Sequence, residues 1–376
     1  MTRTAGIITF HASHNYGSML QAYALQQTIL DMGMKCEIIN LRTPRQRKLY
    51  SRYIHRSWLK RLRLLLRYPW CQNMHESKYR LFEDFLSNEY ILSPVEYPSL
   101  QALEADCPVY DAYISGSDQI WNTSCYDFDW SYFLPFVSGK PKIAYAPSMG
   151  PVPDKEVVDE NAEKIKALLA GYDRITVRER GTAQRLESLT GNTYPLAMDP
   201  TLLLPASRWE AMAGDRPLAG EDPYIFFYTP WYRKEIYQLA KDMSVKLGLK
   251  VVVSQVSKDI LRDWGNDSSF RFLAAAGPKE FLNYCRHAEM IVGGSFHLAV
   301  FSILFKVPFF TYDGMNDSRI SSLLTLTGLE RQSYTPGTLP DPEVLRTRPD
   351  FSSAEASIEG LRQDSLKWLR SALSAD

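Results

Sequence analysis

Net charge is what this 376-residue chain lacks first: 43 Lys and Arg balance 43 Asp and Glu, for a formal charge of +0. No global field therefore favours nucleic acid or a membrane, and no nucleic-acid partner is expected. Cysteine is sparse. Cys36, Cys71, Cys107, Cys125 and Cys285 are odd in number, scattered, and form no CxxC pair. Neither a disulfide framework nor a zinc site is indicated, and a reducing cytoplasm is the expected compartment. No run approaches the ~20 apolar residues of a spanning helix. The opening MTRTAGIITFHASHNYG holds no long apolar segment of the signal-peptide kind. GxGxxG and GxxxxGK[ST] are both missing, which removes the common nucleotide fingerprints. No cluster of metal ligands is visible, so no metal and no resident cofactor is expected.

What remains has the composition of a globular protein long enough for two domains. Strand-like runs alternate with helical patterns almost throughout. GIITF, CEIINL, YDAYISG, KIAYAPS and RITVRE read as strands of a first half, which YPLAMDP closes. PYIFFYT, KVVVSQ, EMIVGG and VPFFTY read as strands of a second. Helices are expected near 17–32, 45–67, 76–87, 155–170, 180–189, 233–247 and 279–286, and again from Ser295 onward. Such alternation means βαβ units and parallel sheets. Residues 203–223, rich in Gly, Pro and Ala, look like a connector with one short helix. The expected fold class is α/β, with two Rossmann-like domains facing a cleft. They cover 1–205 and 222–335, and an amphipathic C-terminal helix covers 350–376. Open parallel sheets bind ligands at the carboxyl ends of their strands, so the cleft is the default site.

Five constellations fall at such ends. In IVGGSFHLAVFS, a strand runs into Gly293 and Gly294, Ser295 suits a helix N-cap, and His297 follows in the first turn. Free N–H groups and a helix dipole make that turn an anion site, unless the glycines only allow close packing. In FHASHNYGSMLQAYALQ, the loop His11, Ser13, His14, Asn15, Tyr16, Gly17 offers polar groups ahead of a helix. Asn15 equally suits an N-cap and Gly17 a tight turn, while Gln21 faces either cleft or solvent. Asp118, in YISGSDQIWN, suits a base toward a hydroxyl, a partner for a cation, or a cap. Arg178, in ITVRERG, carries a planar fork for carboxylate or phosphate, and Glu179 either positions it or forms a surface ion pair with it. Arg319, in NDSRISSLL, follows VPFFTY behind a cap at Asp317 or Ser318, and points at the cleft or at solvent.

One further segment differs in kind. From Arg42 to Arg67 there are ten Lys and Arg and no Asp or Glu. Tyr50, Tyr53, Ile54, Trp58, Leu62 and Leu65 give it an apolar face at helical spacing. A basic amphipathic helix lies on an anionic membrane or packs its apolar face inward.

Taken in order, FHASHNYGSMLQAYALQ, GSDQIWN, YAPSMG, TVRERG, MDPTLLL, GGSFHLAVFSILFKVPF and SRISSLL resemble the polysaccharide pyruvyl transferase family over about residues 5–329. The resemblance implies a fold of the GT-B glycosyltransferase type. It implies transfer of a pyruvyl group from phosphoenolpyruvate, as donor substrate, to hydroxyls of a cell-surface glycan or lipid-linked sugar, forming a ketal and releasing phosphate. It places His297, with Gly294 and Ser295, at the donor phosphate on the C-terminal side, with Arg178 and Arg319 as anion clamps. His297 is then a general acid or a phosphate ligand, and Asp118 activates the acceptor hydroxyl on the N-terminal side. Asn15, Tyr16, Gly17, Gln21 and Glu179 complete the expected binding set. A lipid-linked acceptor would give the 42–67 segment a purpose at the inner face of the cell membrane. A nucleotide-sugar glycosyltransferase and a non-catalytic glycan- or anion-binding protein are the competing readings.

Overall fold

A computed structural model describes residues 2–53, 57–151, 159–335, 345 and 347–374. The first half forms one parallel sheet from β1 (Thr4–Ile8), β2 (Lys35–Leu41), β3 (Leu92–Tyr97), β4 (Ala112–Ser115), β5 (Lys142–Ala144) and β6 (Arg174–Ile175). Its order is β3-β2-β1-β4-β5-β6, with Ile7 set between Ile38 and Ile114. The second half repeats the pattern with β7 (Tyr224–Tyr228), β8 (Lys250–Val253), β9 (Phe270–Phe272), β10 (Met290–Gly293), β11 (Phe309–Tyr312) and β12 (Ser333–Tyr334). There the order is β12-β11-β10-β7-β8-β9, again parallel. Both are the Rossmann order, with topological switch points at β1/β4 and at β7/β10. Central runs such as YIFFY and MIVG are buried along their whole length, as strands covered on both faces must be.

The halves are joined through apolar packing rather than standing apart. Helix Tyr16–Asp31 is apolar or small on nearly every face and is buried along most of its length. It lies in one continuous core with residues of helices Pro278–Arg286 and Phe296–Leu304. Tyr16 stacks on Phe281 with ring centroids 4.6 Å apart, and its hydroxyl donates to the carbonyls of Ser254 and Ala276 at 3.1 and 3.3 Å. The connector holds the single short helix Ala206–Ala213. The terminal helix Phe351–Ser374 returns to the first half, where Arg362 Nε donates to the Leu202 carbonyl at 2.7 Å.

The expected helix over 45–67 is two helices, Pro44–Leu49 and Trp58–Arg67. A Thr43–Gln46 capping box starts the first. The chain leaves it at Tyr50, whose hydroxyl turns inward to Asp127 at 2.7 Å. Ile54 and Arg56 lie outside the described residues, as do 155–158 of the helix expected over 155–170. Helices Leu100–Asp106 and Lys258–Trp264 and strands β3, β9 and β12 are additions to the expected set. Among the described residues no helix is long and apolar enough to cross a membrane, and no group of three or more His, Cys, Asp or Glu is disposed to hold a metal.

Candidate active site

The two switch points meet across the interface. Asn15 is the N-cap of helix Tyr16–Asp31, its side-chain oxygen accepting from the N–H groups of Gly17 and Ser18 at 3.0 and 3.3 Å. Opposite, Ser295 is the N-cap of helix Phe296–Leu304, but its side chain makes no capping bond. The His297 ring rests directly on Gly17. A Cβ at Gly17 would stand 2.0 Å from His297 Nδ1, so only glycine fits. The glycine that the second turn requires is Gly293, where a Cβ would meet the Tyr228 carbonyl oxygen at 1.9 Å. Gly294 has room for one, with Thr229 Oγ1 at 3.5 Å.

A buried polar chain runs from this contact. His297 Nε2 lies 3.3 Å from Asp199 Oδ2 but off the hydrogen-bond line. The same oxygen accepts from Arg178 Nη1 at 2.8 Å, and Asp199 Oδ1 accepts from the N–H and hydroxyl of Thr201 at 3.0 and 2.6 Å. Arg178 also pairs with Glu179 at 3.3 Å and Asp118 at 3.6 Å, and its guanidinium carbon sits 4.9 Å from the centre of the Phe296 ring. Asp118 Oδ2 accepts from Ser18 Oγ at 2.5 Å, which returns the chain to the helix that carries Gly17. Burial works against the charge of Asp199, but His297 and Arg178 outweigh it and hold the carboxyl well below its usual range. Burial likewise opposes the Arg178 charge, and Asp199, Glu179 and Asp118 keep it protonated. Two buried donors, His297 Nε2 and Arg178 Nη2, have no hydrogen-bond partner among the described residues. Buried polar atoms are normally satisfied, and both of these belong to residues that meet Asp199 Oδ2.

Other expected residues serve the scaffold. Tyr16 spends its hydroxyl on the carbonyls of the second half, as described, rather than on a cleft. Gln21 faces neither cleft nor solvent: it is fully buried, donates to Thr9 Oγ1 and the Ser18 carbonyl, each at 2.9 Å, and accepts from the Ser117 N–H at 3.1 Å. It thereby fastens the end of β1 to the end of β4. Glu179 accepts from Thr182 and pairs with Arg178. Asp317 caps helix Ser318–Thr327 and takes Arg319 in a two-bond pair at 3.0 and 2.7 Å, so neither arginine is a bare cation.

A cleft of about 430 Å3 opens beside this cluster, at the carboxyl ends of β7 and β8. His14, Tyr50, Lys78 and Tyr79 line it from the first half, and Pro230, Trp231, Tyr232 and Gln255 from the second. Thr229, next to Pro230, is the neighbour of Gly294 noted above, so the cleft wall approaches the turn ahead of helix Phe296–Leu304. Trp231 is 79% exposed at its mouth. Lys78 Nζ lies 4.7 Å from the centre of the Tyr16 ring and has no carboxylate within ion-pair distance among the described residues. Burial pushes it down to about 7. His14 is stacked on Phe82, with ring centroids 5.0 Å apart, and bonded to Glu83 at 2.9 Å. Burial alone would raise Glu83, but bonds from His14 and Arg42 hold it at about 2. A shallower hollow of about 520 Å3 around Thr2, Gly33 and Arg370 lies by the amino ends of β1 and β2, away from all of these groups.

Asp199, Ser18, Phe296, Lys78 and Trp231 were not singled out from the sequence. Asp199 stood within MDPTLLL, but a lone Asp before a proline reads as a turn residue.

Two Rossmann-ordered sheets joined through the helices between them, with polar groups of both switch points converging, define the GT-B class of fold. The similar solved structures agree. LpCGTa, solved in complex with UDP, has a TM-score of 0.53 at 12% identity, and 100% of each chain is covered. AviGT4, a glycosyltransferase involved in avilamycin A biosynthesis, has 0.52 at 11%, over 99% of each chain. The UDP-GlcNAc 2-epimerase of Methanocaldococcus jannaschii, in complex with UDP-GlcNAc and UDP, has 0.51 at 12%, over 96% of this chain and 99% of the other. At such identities the likeness establishes the fold alone. No curated protein gives a significant match. The family model for polysaccharide pyruvyl transferase matches residues 15–314. This chain belongs to that family of enzymes.

Proposed function

We propose that the enzyme moves a pyruvyl group from phosphoenolpyruvate to two hydroxyls of a cell-surface polysaccharide or its precursor sugar, free or lipid-linked. Beside family membership, one observation carries this reading: the buried, unpartnered nitrogens His297 Nε2 and Arg178 Nη2, on two residues that both meet Asp199, beside the N-terminus of helix Phe296–Leu304. A small phosphate-and-carboxylate donor with no adenine needs such a place and no nucleotide pocket. Gly294 and Ser295 supply the turn under the donor anion. His297 is the group assigned to the proton. Its transfer to the methylene carbon of the donor leaves a cation at the central carbon, which one acceptor hydroxyl attacks. Phosphate then departs with its bridging oxygen, the second hydroxyl closes the ketal, and the hydroxyl protons replace the one delivered and leave with phosphate. Gly17 seats the His297 ring, and Arg178 ties Asp199 to Asp118, the group assigned to the first acceptor hydroxyl. The aromatic cleft with Lys78 and Trp231 receives the sugar.

Incubation with phosphoenolpyruvate and a panel of glycans, read by mass spectrometry, tests the proposal. Pyruvylated product that disappears with His297→Ala supports it. Thermal stabilisation by a nucleoside diphosphate but not by phosphoenolpyruvate, with no product, overturns it.

A further inference from the structure

Helix Trp58–Arg67 has no buried residue, although six of its ten residues are Trp or Leu. Leu64 and Leu65 pack inward against Tyr68, Cys71 and Leu261. Trp58, Leu59, Leu62 and Leu66 stay outside that cluster, 65, 52, 47 and 79% exposed. At the helical repeat these four share an arc of about 100°. Lys60, Arg63 and Arg67, all exposed, occupy the arc beside it, and the helix holds no acidic residue. An apolar stripe with a tryptophan and a cationic flank suits the boundary between lipid headgroups and acyl chains.

We propose that this helix docks the enzyme on an anionic lipid surface. Charge complementarity selects that occupant, since the 42–67 segment around the stripe is purely basic. Leu261 and Val256, which the helix cluster includes, belong to the segment that walls the aromatic cleft: Val256 lines the cleft itself. Tyr68, at the end of the helix, donates to the Leu261 carbonyl at 2.8 Å. Docking therefore brings the cleft rim to the headgroups, where a lipid-linked sugar enters directly. The docking stands apart from the transferase reading, whereas delivery of a lipid-linked acceptor rests on it.

Co-sedimentation with phosphatidylcholine vesicles, with and without phosphatidylglycerol, tests the docking. The full chain should sediment only with the anionic vesicles, and less as salt rises. Lys60→Gln/Arg63→Gln/Arg67→Gln should weaken binding by about 100-fold, since each cation near such a surface is worth roughly fivefold. Trp58→Ser/Leu62→Ser/Leu66→Ser should abolish it. Thermal unfolding checks that both variants are folded. Equal binding to neutral vesicles, no binding, or unchanged binding by a folded variant would overturn the assignment. So would a vesicle-free dimer that the serine variant abolishes, which would make the stripe a self-association face. Turnover of a soluble acceptor should be unchanged in both variants; its loss would place the helix in the active site instead.

Discussion

Gly17→Ala isolates the contact on which the site is built. The new methyl would stand 2.0 Å from His297 Nδ1, against 3.4 Å for ordinary contact. The imidazole must therefore move by about 1.4 Å or the helix start must shift. Overpacking of this kind costs about 1–3 kcal/mol. Exchanging Gly for Ala inside a helix returns roughly 0.5–1 kcal/mol. The net loss of stability is thus about 1 kcal/mol, a fall of only a few degrees in thermal midpoint for a chain of this size. Catalysis is far more sensitive: an ångström of misplacement costs on the order of 100-fold. Phosphate release from phosphoenolpyruvate in the presence of a glycan acceptor should fall by about that factor while the melting curve barely moves. In a His297→Ala background the same change should cost little more, because the two residues act as one unit. Wild-type turnover in Gly17→Ala, or a full additional 100-fold loss in the double variant, would refute the coupling.

Asp199→Asn leaves Arg178 and His297 without the carboxylate they share, and removing one partner of a buried pair costs about 3 kcal/mol or more. Turnover should fall with it, as measured by denaturant unfolding and phosphate release together. Acid should destabilise the fold in two steps. Burial pushes His11 down to about 4, so its contribution is complete above 6.5 and is lost as pH falls toward 4. Glu83, held at about 2, adds a second loss as pH falls below 4.5. Thermal midpoints that stay flat across the first window would contradict this, and because burial also lowers His14 and His75, His11→Asn should reduce the slope there without removing it. Lys78, at about 7, should be the first lysine acetylated at neutral pH and should be shielded by a saturating acceptor; mass mapping reads both. Trp231→Ala should raise KM for the glycan by roughly tenfold with little change in kcat, as loss of one stacking partner predicts.

Much of this fold could be read from the chain because its central strands are apolar on both faces. YIFFY and EMIVGG announce themselves. The strands that went unseen are β3, β9 and β12, and each is an edge strand. β3 carries Pro94 and exposed Glu96, β9 has three residues and β12 two, so none presents an apolar run. Edge strands tolerate proline and need only half the burial. The long basic helix was misjudged because periodicity does not reveal that Tyr50 bonds Asp127 and ends the first helix. In the site, His297, Arg178 and Asp118 were legible as polar residues at strand ends, and the fold joins them. Their connector, Asp199, was not. Only the pairing of Val177 with Leu196 brings its segment beside Arg178. Tyr16 and Gln21 looked available for ligand because a sequence does not show where their polar atoms are spent.

The most direct test of the central claim is pyruvyl transfer itself, with wild type and His297→Ala compared on one glycan acceptor. The account predicts a ketal-bearing product and one phosphate released per pyruvyl group with the wild type, and neither with a folded His297→Ala. Undiminished product from that variant would contradict it.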